Sequence, residues 1–411
     1  MKHKIILTLL WVAAVSAFGQ DGPRVLFIGN SYTNVNDLPQ MVVQVAESMG
    51  ETLSVESNTP GGCTFMQHCS NQSMSLIRQG GWSVVVLQEQ SQYPSFPQGQ
   101  VEQEVFPYAA RLVDSVYAHS PCAEPMFYMT WGHQNGDPQN AQYFPVLGTY
   151  EGMDSMLALR YVQMAHDNDA SLCPVGRVWR YIPDNYSDIG LYASDGSHPT
   201  VAGTYAAACA FYVMIFHRNP EDISYNPGLA DNVAQKVRSA VREVVYERLE
   251  QWRRARPQAT VEIGERTGLT VTLRAHTHLA DSLWWDFGDG FAATQDSVVS
   301  HTYAAAGSYD VRLVAGRHCM ADTATLQVSV EDTGLSIYEP SSREITIAPN
   351  PASDRFSVST GSPDATVRLY DSRGRQLQSG RGSHVLVDVS LLPPGVYVLR
   401  VGDAVRKVVK R

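Results

Sequence analysis

Four short apolar runs, separated by amphipathic stretches, most constrain how the first half of this 411-residue chain can fold. They are Arg24 to Ile28, Ser83 to Leu87, Met126 to Met129 and Val175 to Trp179, and each reads as a buried strand. Between them, Leu38 to Met49 and Val105 to Ala118 carry helical periodicity. A strand that is apolar on both sides needs cover on both faces, and a parallel sheet with crossover helices supplies it. The expectation is an α/β domain closed by a long helix from about Leu229 to Arg254, which Pro257 stops.

Beyond Ala259 the apolar period shifts to two, as in Leu269 to Leu273, Tyr309 to Leu313 and Thr325 to Val330. With Gly288-Asp289-Gly290 as a turn, this reads as a small β-sandwich. A polar linker from Thr333 to Glu344 leads to a second strand-rich stretch, with Val367 to Tyr370, Val385 to Val387 and Val396 to Val401. That tail carries ten Lys and Arg against five Asp, while the whole chain has a net charge of −10. An acidic chain argues against nucleic acid as a partner.

Lys2 and Lys4 precede an apolar run from Ile5 to Ala17, with small residues up to Gly19, as in a cleavable signal peptide. The run is short for a membrane span, and no later stretch is long and apolar enough for one. The expected segments are therefore 1–20 (signal), 21–256 (α/β domain), 257–332 (sandwich), 333–345 (linker) and 346–411 (second β domain). Export permits disulfides. Cys63, Cys69, Cys122, Cys173 and Cys209 fall in the α/β segment, and only Cys319 lies beyond it. Cys122 and Cys173 each precede an expected strand, which suggests a bridge at one end of the sheet; Cys63 and Cys69 are a rival pair. No cysteine and histidine spacing suggests a metal, and no cofactor motif is present.

The chemistry-bearing residues cluster at strand ends. Ser31 stands in Gly29-Asn30-Ser31, directly after the first strand, where open α/β sheets place ligands and where its own N–H can face an oxyanion. Asp195-Gly196-Ser197-His198 stands near the end of the domain. A serine nucleophile needs a base such as His198, and a carboxylate such as Asp195 to orient the imidazole. Thr130-Trp131-Gly132-His133 follows the fourth strand, so Trp131 and His133 are candidate substrate contacts, with core packing the alternative for Trp131.

The order of these two blocks resembles the SGNH (GDSL-like) hydrolases from about Arg24 to Arg254. The resemblance implies a flavodoxin-like three-layer α/β/α fold, Ser31 as nucleophile, His198 as base and Asp195 as its orienter. It also implies an oxyanion glycine after the second strand, where Thr59-Pro60-Gly61-Gly62-Cys63 makes Gly62 the favoured candidate. The family's third block carries an asparagine that donates to the oxyanion. Here the third strand runs into Gln88-Glu89-Gln90-Ser91-Gln92, with no asparagine. The run is closer to the Gln-Gly-Glu-Ser-Asn block of sialate- and xylan-acetylesterase relatives, so Gln88, Gln90 or Gln92 would donate instead.

Trp285 to Gly290, His301-Thr302-Tyr303 and Gly307 to Val311 resemble the PKD repeat, an immunoglobulin-like sandwich acting as a spacer or weak carbohydrate contact. Asp286 and Asp289 are read there as caps of a tight turn rather than calcium ligands. Ala348 to Ala352, Val367 to Gly374, Leu392 to Val401 and the final Lys407 to Arg411 resemble the sorting domain of type IX secretion. That implies a Bacteroidetes-type cell, the type IX machinery as a partner, and delivery through the periplasm to the surface or outside. The combined expectation is a secreted serine esterase acting on small acyl esters, acetyl on glycans foremost. The alternative is a non-catalytic glycan-binding or adhesive protein on the same fold. A lipase for long acyl chains would need an apolar lid, and no such run stands near the blocks.

Overall fold

The computed structural model describes residues 22–332 except Gln295, and 345–411 except Asp403. The expected signal segment, and all of the linker but Ile345, lie outside the described residues. The chain forms two compact units that divide after Asp332.

In the first unit, β1 (Arg24–Ile28), β2 (Ser54–Asn58), β3 (Val84–Leu87), β4 (Glu124–Tyr128) and β5 (Ser171–Cys173) form one parallel sheet in the order 2-1-3-4-5. Residues Val25 to Ile28 and Val85 to Leu87 are wholly buried, as strands covered on both faces must be. Helices Leu38–Ser48, Val201–Phe216 and Asp231–Val244 form one packed group; Gln72–Gln79, Phe106–His119 and Tyr150–Asp167 form another. This is a doubly wound flavodoxin-like order. Its switch point lies between β1 and β3, where the crevice at the carboxyl ends of the strands takes ligands.

Two expectations fail here. The run from Val175 is no strand; it opens the helix Val175–Asn185, and β5 lies just before it. Its apolar residues Val175, Val178, Trp179 and Ile182 are spaced i, i+3, i+4, i+7 and all are buried, which is helical spacing seen through too short a window. The expected long closing helix is also broken, running Asp231–Val244 before two short turns of helix.

The Cys122–Cys173 bridge falls with the strand. Cys173 pairs in register with Tyr128 at the far end of β4, while Cys122 precedes that strand. Six residues of strand, about 20 Å, separate the two levels. Cys122 instead bonds Cys319, with Cα atoms 5.1 Å apart, and Cys63, Cys69, Cys173 and Cys209 are buried free thiols.

Cys319 belongs to the β-sandwich that follows. Strands β6 (Gln258–Thr267), β7 (Thr270–His278), β8 (Ser282–Asp286), β9 (Ala292–Thr294), β10 (Val298–Thr302), β11 (Gly307–Arg317) and β12 (Met320–Val330) form two antiparallel sheets, 10-7-6 and 12-11-8-9. Between them lies a separate core containing Val271, Leu273, Trp285, Val311, Leu313 and Val328. Asp286 accepts from the Gly288 N–H, while Asp289 accepts from the Phe291 N–H and lies 2.7 Å from His301 Nε2. Both acids therefore cap the turn, and Asp289 also holds His301. The β11–β12 hairpin tip reaches the α/β domain. Beside the disulfide, the His318 ring stacks on Tyr117 at 3.9 Å, and Arg317 Nε lies 3.1 Å from Asp169.

The described residues of the second unit form antiparallel strands in two sheets over a core of Phe356, Val358, Val367, Leu369, Leu399 and Val408. Among the described residues, no helix is long and apolar enough to cross a membrane.

Candidate active site

Ser31 opens a short helix at the end of β1, and its neighbour Asn30 caps that helix by accepting from the Tyr32 N–H. Gly29 is needed at this turn because a Cβ there would lie 2.5 Å from Thr33 Oγ1 and 2.6 Å from Gln88 Oε1. The loop carrying Asp195 and His198 approaches from the other end of the domain. His198 Nε2 lies 2.9 Å from Ser31 Oγ, and His198 Nδ1 lies 2.5 Å from Asp195 Oδ2. A carboxylate can only accept, so Nδ1 carries the proton and Nε2 is left to accept the serine hydroxyl. Asp195 Oδ1 also accepts from the Ser197 and His198 N–H groups. The Ser197 bond first, and His198 after it, hold the Asp195 carboxyl down at about 2. This carboxylate is therefore charged beside the imidazole through the neutral pH range.

Gly62 sits at φ +66° in the exposed turn after β2. Among the described residues, neither the Ser31 N–H nor the Gly62 N–H is taken by a protein acceptor. The three glutamines separate. Gln88 is wholly buried; its amide donates to Asn30 Oδ1 and to the Glu89 carbonyl, while Oε1 accepts from the Asn30 N–H and from Thr33. With both N–H bonds spent, Gln88 has none left for an oxyanion, which corrects the expectation for that residue. Gln90 donates to Gln92, and Gln92 donates to Asp137, so each retains one free amide hydrogen.

Trp131 is also corrected. It is wholly buried, stacked between Tyr32 and Trp179, and its Nε1 donates to the Ser197 carbonyl at 3.0 Å. It braces the histidine loop from below and cannot touch substrate. His133 is half-buried, with Nε2 3.4 Å from Ser91 Oγ; burial lowers its pKa against the pull of Asp137 and Asp195.

Sequence reasoning missed three supports. The Tyr32 hydroxyl bonds Ser197 Oγ at 2.6 Å, and its ring meets the His198 ring edge-on. His68 is wholly buried. Its Nε2 donates to the Gly29 carbonyl, and burial lowers its pKa to about 4, so it stays neutral. Glu89 is wholly buried as well. Tyr32 was reachable as the neighbour of Ser31, but His68 carries no signal short of the tertiary contact.

Residues 253–331 match the PKD domain family, and residues 346–411 match the secretion system C-terminal sorting domain. The latter assigns the chain to type IX export, to the cell surface or outside. No curated protein matches the chain. Among solved structures, similarity is found to a DUF4886 family protein from Bacteroides uniformis, at 16% identity and a TM-score of 0.48, over 56% of this chain and 95% of that one. A proposed SGNH hydrolase from Slackia heliotrinireducens is 27% identical with a TM-score of 0.38, over 46% and 97%. The PKD1 domain of Vibrio anguillarum Epp is 30% identical with a TM-score of 0.17, over 19% and 95%.

Proposed function

We propose that this exported chain is a serine ester hydrolase of the SGNH kind, with Ser31, His198 and Asp195 as its catalytic triad. The observation that carries the reading is the continuous contact from Ser31 Oγ through the His198 ring to Asp195, between residues 167 positions apart in sequence. In this reading Ser31 Oγ attacks the ester carbonyl and gives its proton to His198 Nε2, while Asp195 steadies the imidazolium. The carbonyl oxygen becomes an oxyanion facing the free N–H groups of Ser31 and Gly62, with Gln90 or Gln92 as a side-chain donor. Collapse expels the alcohol, which takes the proton from His198. A water then repeats the sequence on the acyl-serine and releases the acid.

A small acyl group, acetyl foremost, on an extracellular glycan is the proposed substrate. The triad is part-exposed, and export to the surface suits polymer substrates. The PKD domain serves as a spacer. Turnover of p-nitrophenyl acetate by the purified protein tests the reading. Ser31→Ala should lower kcat by a factor on the order of 10⁴ or more, because triad members act as a unit. Equal rates in wild type and Ser31→Ala overturn it, and an inert wild type favours the adhesive alternative. A series of nitrophenyl esters of rising chain length, with acetylated xylan, then resolves the acyl group and the alcohol.

A further inference from the structure

Glu89 is a carboxyl that the proposed chemistry does not use. It is wholly buried, and among the described residues no cationic side chain pairs with it. Its partners are backbone donors from two different loops. The Phe65 N–H lies 3.0 Å from each carboxyl oxygen, and the Gln90 N–H lies 2.6 Å from Oε1. Phe65 follows the turn that carries Gly62, and Gln90 is one of the two remaining amide donors. The Glu89 backbone carbonyl also accepts from Asn30 Nδ2 and Gln88 Nε2, and its N–H donates to Tyr161.

We infer that Glu89 is a positioning residue whose carboxylate ties the loop after β2 to the loop after β3 and so sets the oxyanion donors on either side of Ser31. The inference rests on the esterase reading and deepens it. Both groups that touch the carboxyl are donors, so the ionised form, with acceptors only, satisfies them fully. A proton on Oε2, the oxygen with the single donor, leaves Oε1 alone to accept from both N–H groups, and the tie loosens.

Burial, opposed by the Gln90 and Phe65 N–H bonds, raises the Glu89 pKa to about 8. The other titratable groups facing it are the Cys63 and Cys69 thiols and the Tyr161 hydroxyl. Burial pushes all three upward, Cys69 to about 11, so Glu89 ionises first as pH rises. The sign for stability runs the other way. The folded chain holds a proton that the unfolded chain has lost above about 4.5, so stability relative to a neutral variant falls as pH rises from there through about 8.

Glu89→Gln tests this, because an amide presents an N–H to one of the two backbone donors. Above pH 8, where the wild-type carboxyl is ionised, kcat on p-nitrophenyl acetate should be lower in Glu89→Gln by on the order of 10- to 100-fold with KM within about twofold, the signature of displaced oxyanion donors, and the difference should shrink towards pH 6. Wild-type kcat should show a rising limb near pH 8 that Glu89→Gln lacks. The melting temperature of wild type should fall relative to Glu89→Gln as pH rises between about 5 and 8, which reports the ionisation of Glu89, while the matching limb in kcat ties that ionisation to the site. If Glu89→Gln does not fold, the wild-type profile decides alone, and a flat kcat between pH 7 and 9 overturns the inference. So does a folded Glu89→Gln with wild-type kcat and pH profile. Should Ser31→Ala be inactive in that case, only the positioning role fails. Should Ser31→Ala be fully active, the esterase reading itself fails.

Discussion

Trp131 lies 4.7 Å from the Tyr32 ring and 3.6 Å from the Trp179 ring, nearly parallel to both, with its N–H on the Ser197 carbonyl. An aromatic residue after a strand suggested sugar stacking, but both of its faces are already occupied. Its contribution runs through Ser197 to the adjacent His198. Trp131→Phe keeps most of the stacking and leaves the Ser197 carbonyl without its donor. We expect a loss of about 1–3 kcal/mol in urea unfolding, from the smaller ring in a wholly buried site together with a part-buried acceptor left unpaired. A lower kcat at nearly unchanged KM should accompany it, since the imidazole loses its support. A higher KM at unchanged kcat and stability would instead restore Trp131 to the substrate pocket.

The helix Val175–Asn185 illustrates how closely whole elements approach the site. Gly176 packs so tightly beneath the loop after β4 that a Cβ there would lie 2.2 Å from the Thr130 carbonyl oxygen. Alanine raises helix propensity by up to about 1 kcal/mol over glycine. A backbone overlap of this depth cannot be relieved by a side-chain rotation, so the helix must shift, at a cost of roughly 1–3 kcal/mol or more. Gly176→Ala should therefore melt below wild type, by roughly 2–4 °C per kcal/mol of net loss. It should also lose activity, because Thr130 leads directly into Trp131. A variant that melts at or above the wild-type temperature would show that the helix has room this packing denies.

Across the first unit, the β11–β12 hairpin tip joins the sandwich to the α/β domain by the disulfide, the ring stack of His318 on Tyr117, and the approach of Arg317 and His318 to Asp169. These contacts lie near Cys122, which precedes β4. Ser31 stands after β1, at the opposite, carboxyl end of the parallel sheet. Closing a loop of 197 residues restrains the unfolded chain strongly, and removing such a bond costs about 2–5 kcal/mol. Cys319→Ser should split the first unit's cooperative calorimetric transition into two, one for the α/β domain and one for the sandwich, and admit protease near residues 253–258. Its rate on p-nitrophenyl acetate should match wild type, because nothing at the triad touches the hairpin. One undivided transition in Cys319→Ser would mean that the non-covalent contacts hold the domains together unaided.

The local content of the sequence determined much of this protein. Apolar runs at β1, β3 and β4, the shift to period two after Ala259, and the blocks around Ser31 and His198 were legible because strand burial, sheet alternation and strand-end turns depend on neighbours a few residues apart. The misreadings have two causes. A five-residue window at Val175 could not separate a buried strand from the buried stripe of a helix. That error carried Cys173 to the wrong end of the sheet and hid Cys319 as the partner of Cys122. Residue type marked Gln88 as a donor and Trp131 as a ring for sugars. Only the tertiary structure decided otherwise, because it alone says which hydrogen-bonding atoms and which aromatic faces are already taken. Glu89 and His68 belong to the same class: what a buried polar group does depends on donors and acceptors brought to it from distant segments, and no short stretch of sequence contains them.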